Sequence, residues 1–455
     1  MNRIMGRARV LLILILVLAL GTSLFVGEYF IKSGEWVMFA GSPHIYNAAN
    51  IGCGMITDRD GNLLLDLTNG RTYTDNVQLR SAIIHWLGDR QGNISAPALP
   101  HYAEAIAGFS KLDGLYAYGG TGGTVSTTFS AKVQMAALET MGDYTGTVAV
   151  YNYKTGELIC AVSTPNYDPD NVPDIANLPE FEGVYVNRFT QTTYTPGSIF
   201  KIVTAAAALE TIPDILDRTY DCTGLLEFGE DRVTCERAHG TLSFREAFAR
   251  SCNCAFARIA NQVGGDVLQR YAQQFRLTEG VSFDGITTAS GSLNAAGQMP
   301  VNVAWSGIGQ FKDLINPCRF LAFVGAIAND GVEITPHFVE EIKVGTQTTY
   351  QAGNQDAGRI MSSRTAQVLQ EFLRNNVENY YGDSSFPAGL QVCAKSGTAE
   401  VGGDKKPNAM FTGFVANEEL PLAFIVAVED GGYGRPVCTP IIAKILAECQ
   451  NALLG

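Results

Sequence analysis

Residues Val10 to Gly27 form an almost uninterrupted apolar run, with Thr22 and Ser23 as its polar exceptions. About 18 residues rise ~27 Å as a helix, close to the hydrocarbon thickness of a bilayer. Lipid offers the backbone no hydrogen-bond partners, so a spanning segment of this kind has to be helical. The remainder of the chain must fold in water as a body of its own. Arg3, Arg7 and Arg9 precede the run, which predicts a cytoplasmic N-terminus with the remainder outside. The run is longer than a usual signal-peptide core, so we read it as a retained anchor rather than a leader cleaved near Ala19-Leu20-Gly21. The resulting division is residues 1–9 cytoplasmic, 10–27 a single transmembrane anchor, 28–125 an extracytoplasmic pedestal and 126–455 the main domain.

Several function classes fall away on composition. The formal net charge is −13, and no basic stripe interrupts it, which argues against nucleic acid as a partner. The ten cysteines form no Cys-x-x-Cys pair, and the five histidines are far apart. That spacing predicts no metal site. Cys222 and Cys235 bracket a short acidic loop, where pairing and two unpaired thiols both remain open. Gly307 and Gly309 lack the Lys-Ser/Thr that a phosphate loop requires.

The pattern of elements is mixed. Met55 to Asp66 reads as two short strands around the Asp60-Gly61 turn, and His101 to Gly108 as a short helix. The glycines between Asp113 and Thr124 predict a hinge or boundary. Ser126 to Met141 has helical spacing, and Gly146 to Ser163 reads as a hairpin turning at Lys154-Thr155-Gly156. Thr164 to Pro196 is loop, and Asp221 to His239 a turn-rich excursion. Helices are expected over Leu242–Val263, Phe320–Ala328, Arg364–Asn375 and Pro440–Leu454. Strands are expected over Val392–Ala399, Ala409–Val415 and Leu422–Glu429. Strands thus bracket a long helix-rich middle.

Three clusters carry candidate chemistry. The first is Ser198-Ile-Phe-Lys201, opening an Ala-rich helix after Pro196-Gly197. Ser198 lies in the first turn, beside the positive helix end, and Lys201 falls on the same face three residues later. Ile199, Phe200, Ile202 and Val203 surround that lysine, and desolvation disfavours its charged form. A serine beside a neutral amine is an activated nucleophile. Among all the lysines, Lys201 alone has a serine three residues before it. The second cluster is Ser251-Cys252-Asn253, where Ser251 can relay a proton and Asn253 can hold an amide. The third is Lys395-Ser396-Gly397-Thr398. There Lys395 supplies positive charge, Ser396 and Thr398 supply hydroxyls for a carboxylate, and Gly397 lets a substrate backbone lie along the strand edge. The backbone N–H groups of Ser198 and Thr398 are the expected oxyanion donors.

Together and in this order, the clusters resemble the three active-site signatures of penicillin-binding proteins and serine β-lactamases. Pro165-Asn-Tyr-Asp-Pro169, Asn187-Arg188, Tyr194 to Gly197, His239-Gly240 and Ser306 to Gln310 are similar to the family as well. The short pedestal, without a glycosyltransferase signature, most resembles the monofunctional class B type. Cys252 departs from many relatives, and its side chain is expected to face away from the pocket.

The resemblance implies an α+β fold, a five-stranded antiparallel sheet flanked by helices plus a helical subdomain. It implies a peptidoglycan D,D-transpeptidase that needs no cofactor or metal. The donor would be a stem peptide ending in D-Ala-D-Ala, the acceptor an amine of a second stem, and β-lactams would acylate Ser198. A membrane glycan polymerase is the implied partner. The rival readings are a D,D-carboxypeptidase or β-lactamase-type hydrolase, in which water is the acceptor, and a non-catalytic scaffold for wall synthesis.

Overall fold

The computed structural model describes residues 2–37, 46–47, 50–68, 70–109, 122–353 and 355–454. The predicted hinge between Asp113 and Thr124 lies largely outside these residues. Six helices and five strands place the functional site, and a further helix precedes them. The first helix, α1, is Asn2–Val37; α2 is Ala131–Met141. The predicted hairpin comes next as β1, Gly146–Asn152, and β2, Leu158–Thr164. The middle contains α3, Lys201–Thr211, α4, Asn253–Val263, α5, Pro317–Ala328, and α6, Ser363–Asn376. The C-terminal part contains β3, Val392–Ala399, β4, Asn408–Val415, β5, Leu422–Val428, and α7, Gly434–Leu454.

The five strands form one sheet in the order β3-β4-β5-β1-β2, antiparallel throughout. The N-terminal hairpin therefore closes against the C-terminal strands, and β3 is left as an edge. Period-2 alternation splits the sheet between two cores. Val148, Val150, Val162, Phe424 and Val426 pack with Val133 and Ala137 of α2 and Ile442, Ile445 and Leu446 of α7. Ala149, Tyr151, Ala161, Ile425 and Met410 face the other way, onto Phe320 and Phe323 of α5 and Leu369 of α6. Nearly every strand residue is buried, so propensity alone could not reveal which side a residue faces.

The N-terminal part is joined to this body by pairing that no local pattern announces. The expected strands Met55–Thr57 and Leu63–Asp66 pair antiparallel. Thr124–Thr127, which includes Ser126 and Thr127 from the start of an expected helix, is a strand parallel to Met55–Thr57. It also pairs antiparallel with Val339–Val344, completing a six-stranded sheet with Gln347–Gln351 and Thr72–Tyr73. Helical spacing fails before Ala131 because this strand is set by distant partners, one of them more than 200 residues away in sequence. Polar contacts reinforce the join. Asp58 Oδ2 accepts from the backbone N–H of Ala131 at 3.1 Å, and Trp86 Nε1 donates to the Ala161 carbonyl at 2.7 Å. Arg80 makes a two-pronged bridge to Asp168, at 2.6 and 2.7 Å.

Candidate active site

The site begins with the turn Gly197–Phe200, a single 3-10 turn that runs directly into α3. Ser198 stands where the sequence predicts, in the first turn of a helix whose opening N–H groups lack intrahelical acceptors. Two glycines hold that turn. Gly197 has φ +54°, and a Cβ there would sit 2.4 Å from the Thr398 carbonyl oxygen. Gly309 has φ +77°, and its Cβ would sit 2.0 Å from the Gly197 carbonyl oxygen. The Gly197 N–H donates to the Gly309 carbonyl at 2.8 Å. The Ser306–Gln310 stretch is thus the floor beneath the turn. Below it, Ser306 Oγ donates to Asp313 at 3.0 Å, and burial pushes the Asp313 carboxyl up to about 7.

Lys201 is fully buried and gathers the first two clusters. Its Nζ lies 3.0 Å from Ser198 Oγ, 3.1 Å from Ser251 Oγ, 2.7 Å from the Ser251 carbonyl and 2.7 Å from Asn253 Oδ1. Burial lowers its ammonium to about 8, against smaller opposing contributions from Cys235, Cys252 and Cys254. Ser251 reaches this position through φ +53°, a region costly for a side chain other than glycine. Asn253 is engaged at both ends, since its Nδ2 donates to the Thr234 carbonyl at 2.9 Å. Cys252, between them, has a buried sulfur 3.7 Å from that of Cys235.

The third cluster arrives on the free edge of the sheet. Lys395 and Gly397 share the β3 face that meets the nucleophile turn; a Cβ at Gly397 would approach Ile199 Cγ2 at 2.9 Å. Lys395 Nζ reaches Ser251 Oγ at 3.0 Å and its neighbour's carbonyl, Ser396 O, at 2.8 Å. Burial, and then the charge of Lys201, pull the Lys395 ammonium well below its ordinary range. Ser396 and Thr398 alternate to the other face of β3. Ser396 Oγ lies 3.2 Å from the Tyr381 hydroxyl, which also accepts from the Ser396 N–H. Thr398 Oγ1 accepts from the Gly434 N–H at 3.2 Å. Tyr381 escaped the sequence reading. It sits in a helical extension of α6, Val377–Tyr381, and nothing in its local pattern points to β3. Glu429 is a second residue that reading missed: it accepts from Arg188 Nε at 2.9 Å and from the Tyr194 hydroxyl at 3.0 Å, bracing the chain that leads into Gly197.

Chemically, one hydroxyl sits beside a buried amine of lowered proton affinity, a second hydroxyl bridges two amines, and a strand edge lies alongside. Comparison with known proteins agrees in kind. Residues 146–447 match the penicillin binding protein transpeptidase domain. The chain is 32% identical over 342 residues to the peptidoglycan D,D-transpeptidase PbpA of Mycolicibacterium smegmatis, a match covering 68% of each protein. It is 29% identical to the stage V sporulation protein D of Bacillus subtilis, over 67% of this chain and 49% of that one. Among solved structures, penicillin-binding protein A of M. tuberculosis, as a ceftriaxone acyl-enzyme, superposes with a TM-score of 0.76. That match has 24% identity and covers 87% of this chain and 98% of the other.

Proposed function

The chain belongs to the penicillin-binding protein transpeptidase family, as a class B member, and on that premise we propose how its own residues perform peptidoglycan D,D-transpeptidation. Ser198 Oγ attacks the carbonyl of the penultimate D-Ala of a donor stem, and Lys201 takes the hydroxyl proton. The N–H groups of Ser198 and Thr398 receive the oxyanion; losing one such donor typically costs ~3 kcal/mol. D-Ala leaves with a proton delivered from Lys201 through Ser251. The amine of a second stem then displaces Ser198 from the ester, and the crosslink is made.

Donor binding falls to β3. Lys395, Ser396 and Thr398 take the terminal carboxylate, with Tyr381 beside Ser396 as a further hydroxyl. The hydrogen-bond partners of Lys395 are a hydroxyl and a carbonyl, neither of which compensates a buried positive charge. An arriving carboxylate supplies that compensation and restores the ammonium. Gly397 leaves room for the donor backbone. Asn253 orients Lys201 and lies where the donor amide passes.

The observation that carries this reading is the 3.0 Å approach of Lys201 Nζ to Ser198 Oγ, with Ser251 Oγ within 3.1 Å of the same amine. Labelling with a fluorescent penicillin tests it: a covalent band is expected for the native chain and none for a folded Ser198→Ala variant. Offering a D-Ala-D-Ala peptide with and without an amine acceptor then separates transfer from hydrolysis. Crosslinked product supports the transferase, and free acid alone assigns a hydrolase.

For the rest of the chain, we place the transpeptidase domain at residues 126–455 and its pedestal at 28–125, with the chain crossing the membrane once through 10–27 and the catalytic domain outside. The exposed apolar surface of α1 supports the anchor. A membrane glycan polymerase is the partner this arrangement calls for, since crosslinking at the membrane needs nascent strands there.

A further inference from the structure

The second signature lies beside a cluster that transpeptidation does not use. Cys222 ends the strand Thr219–Cys222, which pairs with Gly240–Ser243. Cys235 and His239 sit on the loop after the neighbouring hairpin, Leu225–Phe228 with Asp231–Thr234. Cys252 caps α4. One ligand atom from each of these four residues lies within 4.8 Å of all the others.

The spacing has a meaning. Four donors around a tetrahedral zinc ion, at ~2.3 Å for sulfur and ~2.1 Å for nitrogen, are separated from each other by roughly 3.6–3.8 Å. Cys235 Sγ and Cys252 Sγ are 3.7 Å apart, and Cys222 Sγ and His239 Nδ1 are 3.4 Å apart. A disulfide would need ~2.05 Å, and all ten cysteines are free thiols. The surroundings favour charge on sulfur. The Cys254 N–H donates to Cys235 Sγ at 3.2 Å and the Ala255 N–H to Cys252 Sγ at 3.4 Å. Both N–H groups belong to the first turn of α4, whose positive end favours an anionic ligand. Cys222 and Cys252 are buried, while Cys235 and His239 are half-buried, which leaves a route for an ion.

We propose that Cys222, Cys235, His239 and Cys252 form a structural site for one tetrahedrally coordinated divalent cation of the zinc type. Three thiolates and an imidazole are a borderline-soft donor set suited to that ion. Binding releases the three thiol protons to solvent and leaves four metal–ligand bonds in their place. The ion clamps the loop between Thr234 and His239 to the turn that carries Ser251 and Asn253. It thereby holds Ser251 at its positive φ and keeps the Thr234 carbonyl under the Asn253 amide. The cluster is a positioning device for the proton relay and touches no substrate.

The test uses the full chain in detergent with a thiol reductant, loaded with zinc and then dialysed against metal-free buffer. Elemental analysis should find one zinc per chain. Cobalt loading should give the intense thiolate-to-metal charge-transfer and tetrahedral d–d absorption. Cys235→Ser and His239→Ala should lose the zinc, and Cys254→Ala and Ser198→Ala should keep it. A strong chelator should slow penicillin labelling of the native chain. The proposal is overturned if the native chain retains no zinc, if cobalt gives only a weak octahedral spectrum, if the two ligand variants keep the zinc, or if Cys235 and Cys252 are found joined as a disulfide in the zinc-treated protein. Because Ser198→Ala should bind zinc normally, failure of the metal site and failure of the catalytic reading are separable.

Discussion

Lys201 has no exposed surface, yet four polar atoms surround its amine. Those contacts hold it in place, while the loss of water brings its ammonium down to about 8. A base has to be deprotonated to act, so the rate of acylation by a fluorescent penicillin should rise with pH and level off above about 8. Rate constants that are flat from pH 6 to 9 would remove Lys201 from the role of base. Lys201→Arg keeps a charge that cannot be shed and should slow acylation by roughly 100- to 10,000-fold, the span typical of lost general-base catalysis. The serine–lysine pair was legible in the sequence because one helical turn brings positions three apart together. The Ser251 hydroxyl and carbonyl were not, since they reach the amine across 50 residues and through a backbone conformation that no residue type announces.

At the scale of elements, the nucleophile turn is held between β3 on one side and the Ser306–Gln310 stretch on the other. Both contacts are backbone to backbone, and both require glycine. Gly309→Ala would force apart the carbonyl of Gly197 and the new methyl group. The strained φ alone costs on the order of 1–3 kcal/mol. A shift of about 1 Å at the nucleophile can cost roughly a hundredfold in rate. Penicillin acylation should therefore fall by about that factor while the melting temperature drops by several degrees. An unchanged acylation rate would show that this floor does not position Ser198. In sequence, Gly197 marks the break before the helix, and Gly309 belongs to a stretch that resembles the family and fails as a phosphate loop. Their actual work depends on a neighbour more than 100 residues away, and that proximity is a property of the fold.

Taken whole, the molecule joins a body with two large buried cores to an exposed apolar helix. Most side chains of α1 are exposed, among them Leu12 at 58% and Leu20 at 63%. Removing residues 1–37 should move the protein from the membrane fraction to the soluble fraction and leave penicillin labelling intact. Persistence in the membrane would point to a second attachment. The N-terminal part also ties into the body through His85, whose Nε2 meets the Val184 carbonyl at 2.7 Å. Burial lowers this imidazole to about 4 from an ordinary 6.5. Because the folded-state value lies below the unfolded one, the neutral ring is fully tolerated above ~6.5. Stability is then lost progressively as pH falls from there toward about 4. The loss approaches on the order of 3 kcal/mol. His85→Gln should flatten the acid limb of a melting-temperature profile; an unaltered limb would rule His85 out as its source.

The amino-acid sequence alone determined what is local: the apolar helix, the hairpin Gly146–Ser163, the strand Val392–Ala399 and the serine–lysine turn. Periodicity, turn residues and runs of one polarity are written along the chain, so these elements could be read from it. Only the tertiary structure decided which distant segments meet. It put Lys395 and Lys201 on the same serine hydroxyl, placed Tyr381 beside Ser396, and let Val339–Val344 complete the N-terminal sheet. It also gathered three thiols and an imidazole where spacing had predicted no metal site. Such meetings depend on how layers pack and strands register, which is settled by the burial of the whole chain at once.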